Sequence, residues 1–210
     1  MQEKMYNDFE ALIKESQRQF EYASDHFSEL MNRPIAHIRY GPPVYGPGFA
    51  WPSCTLTSDC QRVLKQKTRR KEYKAYYFNS EWDLLFSRDF SDGILSCTLL
   101  HFWSGDTKYA RYFLRDTNDF YSSTVFSVKY NNRQPIRCAF ASSSRLYVEY
   151  FKEKLDEEGN KRTECNWFNY YPNRKISEQG IPLSRSAPFG ACNSPVMFGS
   201  FSFEPTIVFL

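Results

Sequence analysis

Residues 162–175, RTECNWFNYYPNRK, concentrate side chains that could hold a flat organic ligand. The stretch alternates like a strand and carries four aromatic rings among Cys, Asn and Arg side chains: Trp167, Phe168, Tyr170 and Tyr171. Rings with polar tips either fill a core or line a pocket in which a ligand stacks and hydrogen-bonds. We expect one face of this strand to line such a pocket, with Arg174 at its mouth.

The preceding strand supplies an acid. Side chains alternate between faces along residues 144–155, so Tyr147, Glu149 and Phe151 share one face. A carboxylate between two rings lies either on the solvent face or inside a pocket. In a pocket its pKa would be raised, and it could protonate or hold a ligand nitrogen. The ligand site predicted from the two strands consists of Tyr147, Glu149, Phe151, Trp167, Phe168, Asn173 and Arg174.

Three segments resemble, in their order, the motifs of the S-type phycobilin lyases: SSTVFSV at 122–128, LYVEYF at 146–151 and WFNYYPNRK at 167–175. The resemblance covers about a quarter of the chain. It implies a lipocalin-like barrel that binds an open-chain tetrapyrrole and helps attach it to a cysteine of a phycobiliprotein. Glu149 resembles the family's strand-borne acid, which would pair with pyrrole N–H groups. The residues that resemble the family's second motif are Trp167, Phe168, Pro172, Asn173 and Arg174. The resemblance implies that the arginine pairs with a propionate of the tetrapyrrole.

A second interpretation is enzymatic and rests on a cysteine and a histidine. Cys60 begins a predicted helix, where the helix dipole lowers the pKa of a thiol. His101 lies in the later strand segment LLHFW, and Asp116 or Asp119 follows it. This order resembles the papain-like amidases of the cell-wall hydrolase type. The alternative for His101 is a hydrogen-bonded core histidine, so the sequence leaves open whether the protein is an enzyme.

A basic run, RVLKQKTRRKEYK at 62–74, holds seven Lys or Arg residues and one acid. Bases can stack on aromatic rings beside such a cationic surface, and the candidate contacts are Arg69, Arg70, Lys71 and Tyr73. A solvated helix face explains the run equally well, and no recognition motif accompanies it. We therefore expect no nucleic-acid partner. A further alternative is an interaction or inhibitor protein, of the immunity or virus-encoded type, whose partner is a protein and which needs no small-molecule site.

Composition sets broader limits. The 210 residues are 41% hydrophobic, 24% charged and 18% aromatic, with a net charge of +3, which indicates one β-rich globular domain. Because no apolar run is long enough to span a bilayer and no signal peptide opens the chain, we expect a cytoplasmic or organelle-interior protein without a membrane partner. Six cysteines and three histidines are scattered, so we expect reduced thiols and no metal site. The sequence itself identifies no cofactor, and the resemblance implies a bilin-like tetrapyrrole.

One long amphipathic helix is predicted over residues 4–32, because apolar residues recur three, four and seven positions apart. Pro34 ends it, since the residue before a proline avoids the helical conformation. The apolar stripe consists of Met5, Phe9, Leu12, Ile13, Phe20, Ala23, Phe27, Leu30 and Met31. We expect this stripe to pack on the rest of the domain; a homodimer through the helix is the alternative.

The remainder is predicted to be mostly strands. Residues 34–57 are rich in Pro and Gly and indicate a lid or binding loop. Ser58 and Asp59 then resemble a helix cap, which predicts a short helix after the loop. Strands are predicted at 73–78, 83–90, 94–103, 108–114, 122–130, 135–141, 144–155, 162–171 and 196–209, because turn signals separate most of these segments. The expected fold is mainly β, an antiparallel barrel or curled sheet of lipocalin-like type with one long N-terminal helix. The single domain 1–210 divides into the helix 1–33, the loop 34–57 and the β-rich body 58–210.

Overall fold

A computed structural model describes residues 2–41, 69–132, 134–155, 157–159, 161–172 and 196–203. Within these ranges the chain forms two helices, α1 (Gln2–Asp25) and α2 (Phe27–Met31), followed by ten strands. The strands are β1 (His37–Gly41), β2 (Tyr73–Phe78), β3 (Leu84–Ser91), β4 (Ile94–Ser104), β5 (Thr107–Leu114), β6 (Phe120–Asn131), β7 (Gln134–Ala141), β8 (Leu146–Leu155), β9 (Lys161–Tyr170) and β10 (Val196–Phe203).

The ten strands form one antiparallel sheet in which every strand pairs with the next along the chain. The turn between β3 and β4 shows why such hairpins close: Asp92 and Gly93 have φ of 51° and 77°, as a two-residue type I′ turn requires. The sheet is curled but not closed, because β1 and β10 each pair on one side only among the described strands. The mainly β fold with an N-terminal helix that the sequence predicts is therefore confirmed.

Both helices pack on one side of the sheet, which we call the helix face. The ring of Phe9 lies 5.8 Å from that of Phe168 on β9, and the ring of Phe27 lies 4.6 Å from that of Phe113 on β5. The helical residues buried in this way come from the predicted stripe: Phe9, Leu12, Ile13, Ala23, Phe27 and Leu30. These residues of the stripe pack within the chain, as expected from its spacing.

Arg111 on β5 ties α1 to the helix face. Its side chain is fully buried, and its guanidinium donates hydrogen bonds to the Phe20 carbonyl and, at 2.5 Å, to Ser24 Oγ. The guanidinium also lies 3.2 Å from the centroid of the Phe20 ring. Burial lowers the pKa of Arg111 to about 10, so it remains charged at neutral pH. A charged group buried on this face is thus held by a helix carbonyl, a hydroxyl and a ring.

Arg33 performs a similar task at the end of α2. Its guanidinium donates to the carbonyls of Leu30 (2.7 Å), Leu85 (2.8 Å) and His101 (2.6 Å). One side chain therefore caps the last turn of the helix and joins it to the backbones of β3 and β4.

The side of the sheet away from the helices, which we call the opposite face, is buried as well. It carries apolar and thiol side chains that form one packed cluster, among them Leu99, Tyr112, Val128, Cys138 and Cys165. The ammonium of Lys74 on β2 lies 5.6 Å from the ring of Tyr112 on β5, although these strands are three positions apart. Neighbouring strands lie about 4.8 Å apart, so a contact between strands three positions apart requires a strongly curved sheet.

Two local predictions differ from the structure. The predicted loop 34–57 contains the edge strand β1, which pairs with β2 from His37 opposite Phe78 to Gly41 opposite Lys74. The Trp82 ring holds this strand, because it stacks on His37 at 4.0 Å and lies 4.5 Å from the Arg39 guanidinium.

The single predicted helix is also interrupted. His26 separates α1 from α2, and its ring stacks on that of Tyr22 at 4.2 Å. The rest of the predicted loop, the short helix at its end as far as residue 68, and residues 204–209 of the predicted last strand lie outside the described residues.

Candidate functional site

Three neighbouring strands assemble the predicted acid with its aromatic and thiol neighbours. In the register of the sheet Glu149 on β8 stands between Cys138 on β7 and Trp167 on β9. Tyr147 lies two residues earlier on β8 and so shares the same face. We call Tyr147, Glu149, Cys138, Cys165 and Trp167 the Glu149 site, which lies on the opposite face.

Glu149 is buried, with only 4% of its surface exposed. The hydroxyl of Tyr147 donates a hydrogen bond of 2.7 Å to Glu149 Oε1. Burial, and then this bond to a carboxylate, raises the pKa of Tyr147 well above its usual range. Tyr147 therefore keeps its proton across the physiological pH range and acts as a fixed donor to the acid.

Trp167 flanks the acid with a flat apolar surface. Its ring centroid lies 6.3 Å from that of Tyr147, with the two planes 28° apart, and the residue is only partly buried. A carboxylate beside two rings can accept N–H donors from a planar molecule while the rings contact its faces. The arrangement is chemically suited to a planar molecule that carries N–H donors.

The thiol of Cys165 in the site is a poor nucleophile. Cys138 and Cys165 are buried and are not in disulfides. Burial, followed by the charge of Glu149, raises the pKa of Cys165 to about 12. Because the thiolate is the reactive species, this thiol is inert near neutral pH.

The sheet divides the other predicted ligand residues between its two sides. Phe151 is buried on the same face as Glu149, opposite Cys165. Phe168 lies on the helix face, where its ring is 5.9 Å from that of Tyr150 as well as being in contact with α1. Asn173 and Arg174 follow β9 and lie outside the described residues.

A second polar cluster on the opposite face was not recognised in the sequence. Lys74, Asp89 and Cys97 stand side by side on β2, β3 and β4. The fully buried Lys74 ammonium lies 3.1 Å from Asp89 Oδ1, and Cys97 Sγ donates to Asp89 Oδ2 at 3.2 Å. Burial, and then the neighbouring Asp89, raises the pKa of Cys97 to about 12. The sequence signal for this cluster is a lysine and an aspartate that face each other across a hairpin. Recognising this signal requires knowledge of the strand register.

The residues of the cysteine–histidine interpretation are not assembled within the described part of the chain. His101 is 2% exposed, and burial followed by the charges of Lys108, Lys74 and Arg33 holds its pKa well below its usual value. Cys60 lies outside the described residues.

The predicted acids are engaged elsewhere. Asp116 accepts hydrogen bonds from Arg88 at 2.7 Å and from Thr98 at 2.9 Å. Asp119 accepts one from Thr117 at 3.0 Å.

The described part of the basic run, residues 69–74, offers charges without an exposed aromatic ring. Arg69, Arg70 and Lys71 are exposed, and Lys71 lies 3.7 Å from Asp92. Tyr73, however, is 3% exposed and stacks on Phe90 with their centroids 4.6 Å apart. A base could not stack on Tyr73 in this arrangement, since both the ring and its partner are already packed.

Among the described residues, no group of three or more His, Cys, Asp and Glu side chains is placed to hold a metal ion. None of the described helices is long and apolar enough to cross a membrane. Comparison of the chain with protein-family models, with curated proteins and with solved structures gave no match.

Proposed function

We propose that the protein binds a flat, largely apolar small molecule with N–H donors, of the open-chain tetrapyrrole type, at the Glu149 site. The observation that carries the proposal is Glu149 itself, a carboxylate that is 4% exposed and lies beside a partly exposed tryptophan. Glu149 would accept the ligand's N–H groups while Trp167 contacts its plane. The partial resemblance to S-type phycobilin lyases agrees with this ligand class.

Stability alone does not favour an acid at this position. Removing a carboxylate from water costs several kcal/mol. Replacing buried ionic groups by well-packed apolar residues often leaves the stability of a protein unchanged or raises it, by about 0–4 kcal/mol. The neighbours of Glu149 in the register, Cys138 and Trp167, are apolar or weakly polar, and the Tyr147 hydroxyl is one donor to the acid. A ligand with N–H donors would give a further reason for an acid here.

The proposal is tested by titrating the protein with biliverdin, an open-chain tetrapyrrole, and following both the ligand's absorption and tryptophan fluorescence. We expect Glu149→Gln to weaken binding about ten- to hundredfold, because a hydrogen bond to a charged group contributes about 1.5–3 kcal/mol. Glu153→Gln is the matched control, since Glu153 lies on the same strand and face but is exposed and accepts from Gln134 at 3.0 Å.

Trp167→Phe should remove most of the fluorescence quenching, whereas Trp103→Phe, at an exposed tryptophan on β4, should leave it. Equal biliverdin affinity in the wild type and Glu149→Gln, with both proteins folded by circular dichroism, would contradict the proposal. Absence of binding to biliverdin would favour the alternative of an interaction or inhibitor protein.

A further inference from the structure

The helix face contains a cleft that lies away from the Glu149 site. It has a volume of about 260 Å³ and lies between α1, the middle of β6 and the end of β7. Its floor is apolar and consists of Ile13, Phe20, Val125 and Ala141. This volume is slightly below the range of about 300–1,000 Å³ that is typical of small-molecule pockets. The cleft therefore suits a ligand the size of a small metabolite.

The walls of the cleft are fixed by contacts within the protein. Phe20 is held by Arg111, whose guanidinium covers one face of the ring and donates to the Phe20 carbonyl. On the other side, the Ser142 backbone N–H donates 2.8 Å to the Arg145 carbonyl and closes the turn that carries Ser142 and Ser143. Because these walls are already ordered, little conformational entropy is lost when a ligand binds to the cleft.

One charged side chain lines the cleft, namely Glu21, and it is exposed at the rim beside Gln17. Two other acids of α1 are engaged: Glu10 accepts from Tyr170, and Glu15 accepts from Gln19 at 2.8 Å. In the described part of the chain, Glu21 makes neither an ion pair nor a side-chain hydrogen bond. The carboxylate is therefore available to a group that enters the cleft.

We propose that this cleft binds a small primary amine with an apolar body. The apolar part would occupy the floor formed by Ile13, Phe20 and Val125, and the ammonium would pair with Glu21. The hydroxyls of Ser142 and Ser143 can accept the remaining ammonium hydrogens. This site is separate from the proposed ligand site, because the two lie on opposite faces of the sheet.

Three probes with the same phenylethyl body separate the possibilities: 2-phenylethylamine, 2-phenylethanol and 3-phenylpropanoate. Binding is followed by backbone amide shifts of Phe20, Glu21 and Ser143 in nitrogen-15 spectra of the full chain. We expect the amine to bind tightest and to lose about three- to tenfold in affinity in Glu21→Gln, between the effects of an exposed ion pair and a charged hydrogen bond. The matched control Asp25→Asn, an exposed acid one turn further along α1, should not change the affinity.

A second pair of variants tests the location without altering charge. Ser143→Phe places a ring at the cleft and should abolish amine binding, whereas Ser144→Phe, at the exposed neighbour, should not. Glu149→Gln should leave amine binding unchanged, so this proposal and the proposed function can fail separately. The proposal is overturned if no probe shifts these amides at millimolar concentration, if the alcohol or the carboxylate binds as tightly as the amine, or if Glu21→Gln binds the amine like the wild type.

Discussion

The helix face and the opposite face of the sheet are both buried, but they hold their polar groups in different ways. On the helix face, polar side chains join the helices to the sheet, as Arg111 does with the Phe20 carbonyl and Tyr109 does with Glu15. On the opposite face, polar groups pair across strands of the same sheet, as Lys74 does with Asp89. The first arrangement assembles the fold, whereas the second places charge inside a surface that could have been wholly apolar.

This difference indicates where function is to be sought. Buried polar groups of the helix face such as Arg111 attach α1 to the sheet. Buried charges such as Lys74 and Glu149 are costly to keep in a core, and several of the site's neighbours are apolar. We therefore propose that the buried acid of the opposite face serves the proposed ligand, whereas the buried polar groups of the helix face assemble the fold.

Removing the helices should have the largest effect. Deletion of residues 1–33 exposes the partners of Phe9, Ile13 and Leu30, each of which is at most 7% exposed. Full burial of one such side chain contributes about 1.5–3 kcal/mol, so the loss approaches the whole net stability of a domain. We expect the truncated protein to aggregate or to lose its cooperative thermal transition. A monomeric truncation with the wild-type melting temperature would contradict the assembly role of this face.

The polar pair of the opposite face should show the next largest effect. Asp89→Asn removes the carboxylate that pairs with the fully buried Lys74, and we expect a loss of about 2–4 kcal/mol in the free energy of unfolding. The matched control is Asp92→Asn, because Asp92 pairs with Lys71 at the exposed surface. Equal stabilities of the two variants in urea denaturation would show that Lys74 does not depend on Asp89.

Acid should destabilise the protein through His101. Its pKa in the folded state is held well below the ordinary value of about 6.5, so below that pH the unfolded chain binds a proton that the folded chain does not. Stability is therefore present above pH 6.5 and is lost as the pH falls, by roughly 1 kcal/mol at pH 5.5 for this one group.

This pH dependence is measured from urea denaturation at pH 7.5 and 5.5. The difference between the two pH values should shrink by that amount in His101→Phe and should not change in His26→Gln, at a less buried histidine. A His101→Phe protein with the full wild-type pH dependence would show that His101 takes up its proton without unfolding.

The smallest effect concerns the thiols, whose reactivity rather than stability is measured. Burial raises the pKa of Cys97 and of Cys165 to about 12, so neither should react with a thiol reagent at pH 8 in the native state. Both should react once the chain is unfolded without a reductant. Peptide mapping that finds rapid native labelling of Cys97 or Cys165 would place these residues at an accessible surface.

Much of the helix face could be predicted from the sequence, because its pattern is local. The stripe from Phe9 to Leu30 follows helical periodicity, and the hairpins follow turn residues such as Asp92 and Gly93. Strand β2 has the predicted bounds of 73–78. Strand β1 was missed because HIRYG lies between prolines and becomes a strand only through its pairing with β2.

The opposite face was harder to predict because its chemistry depends on register. Alternation separates Trp167 from Phe168, but the sequence does not show which face holds a site when both faces are apolar. From the sequence alone Lys74 is expected to face solvent, as most lysines do. Its pairing with Asp89 becomes evident only from the register of β2 and β3. Burial of Glu149 likewise depends on β7 and β9, which stand on either side of it.

The central claim, that the opposite face holds a small-molecule site, is tested most directly on protein purified from its natural host. Native mass spectrometry and an absorption spectrum would be recorded before and after denaturation. We predict a native mass above that of the polypeptide, absorption beyond the aromatic band, and release of the bound molecule on unfolding. A native mass equal to that of the polypeptide, together with no absorption beyond the aromatic band, would contradict the account.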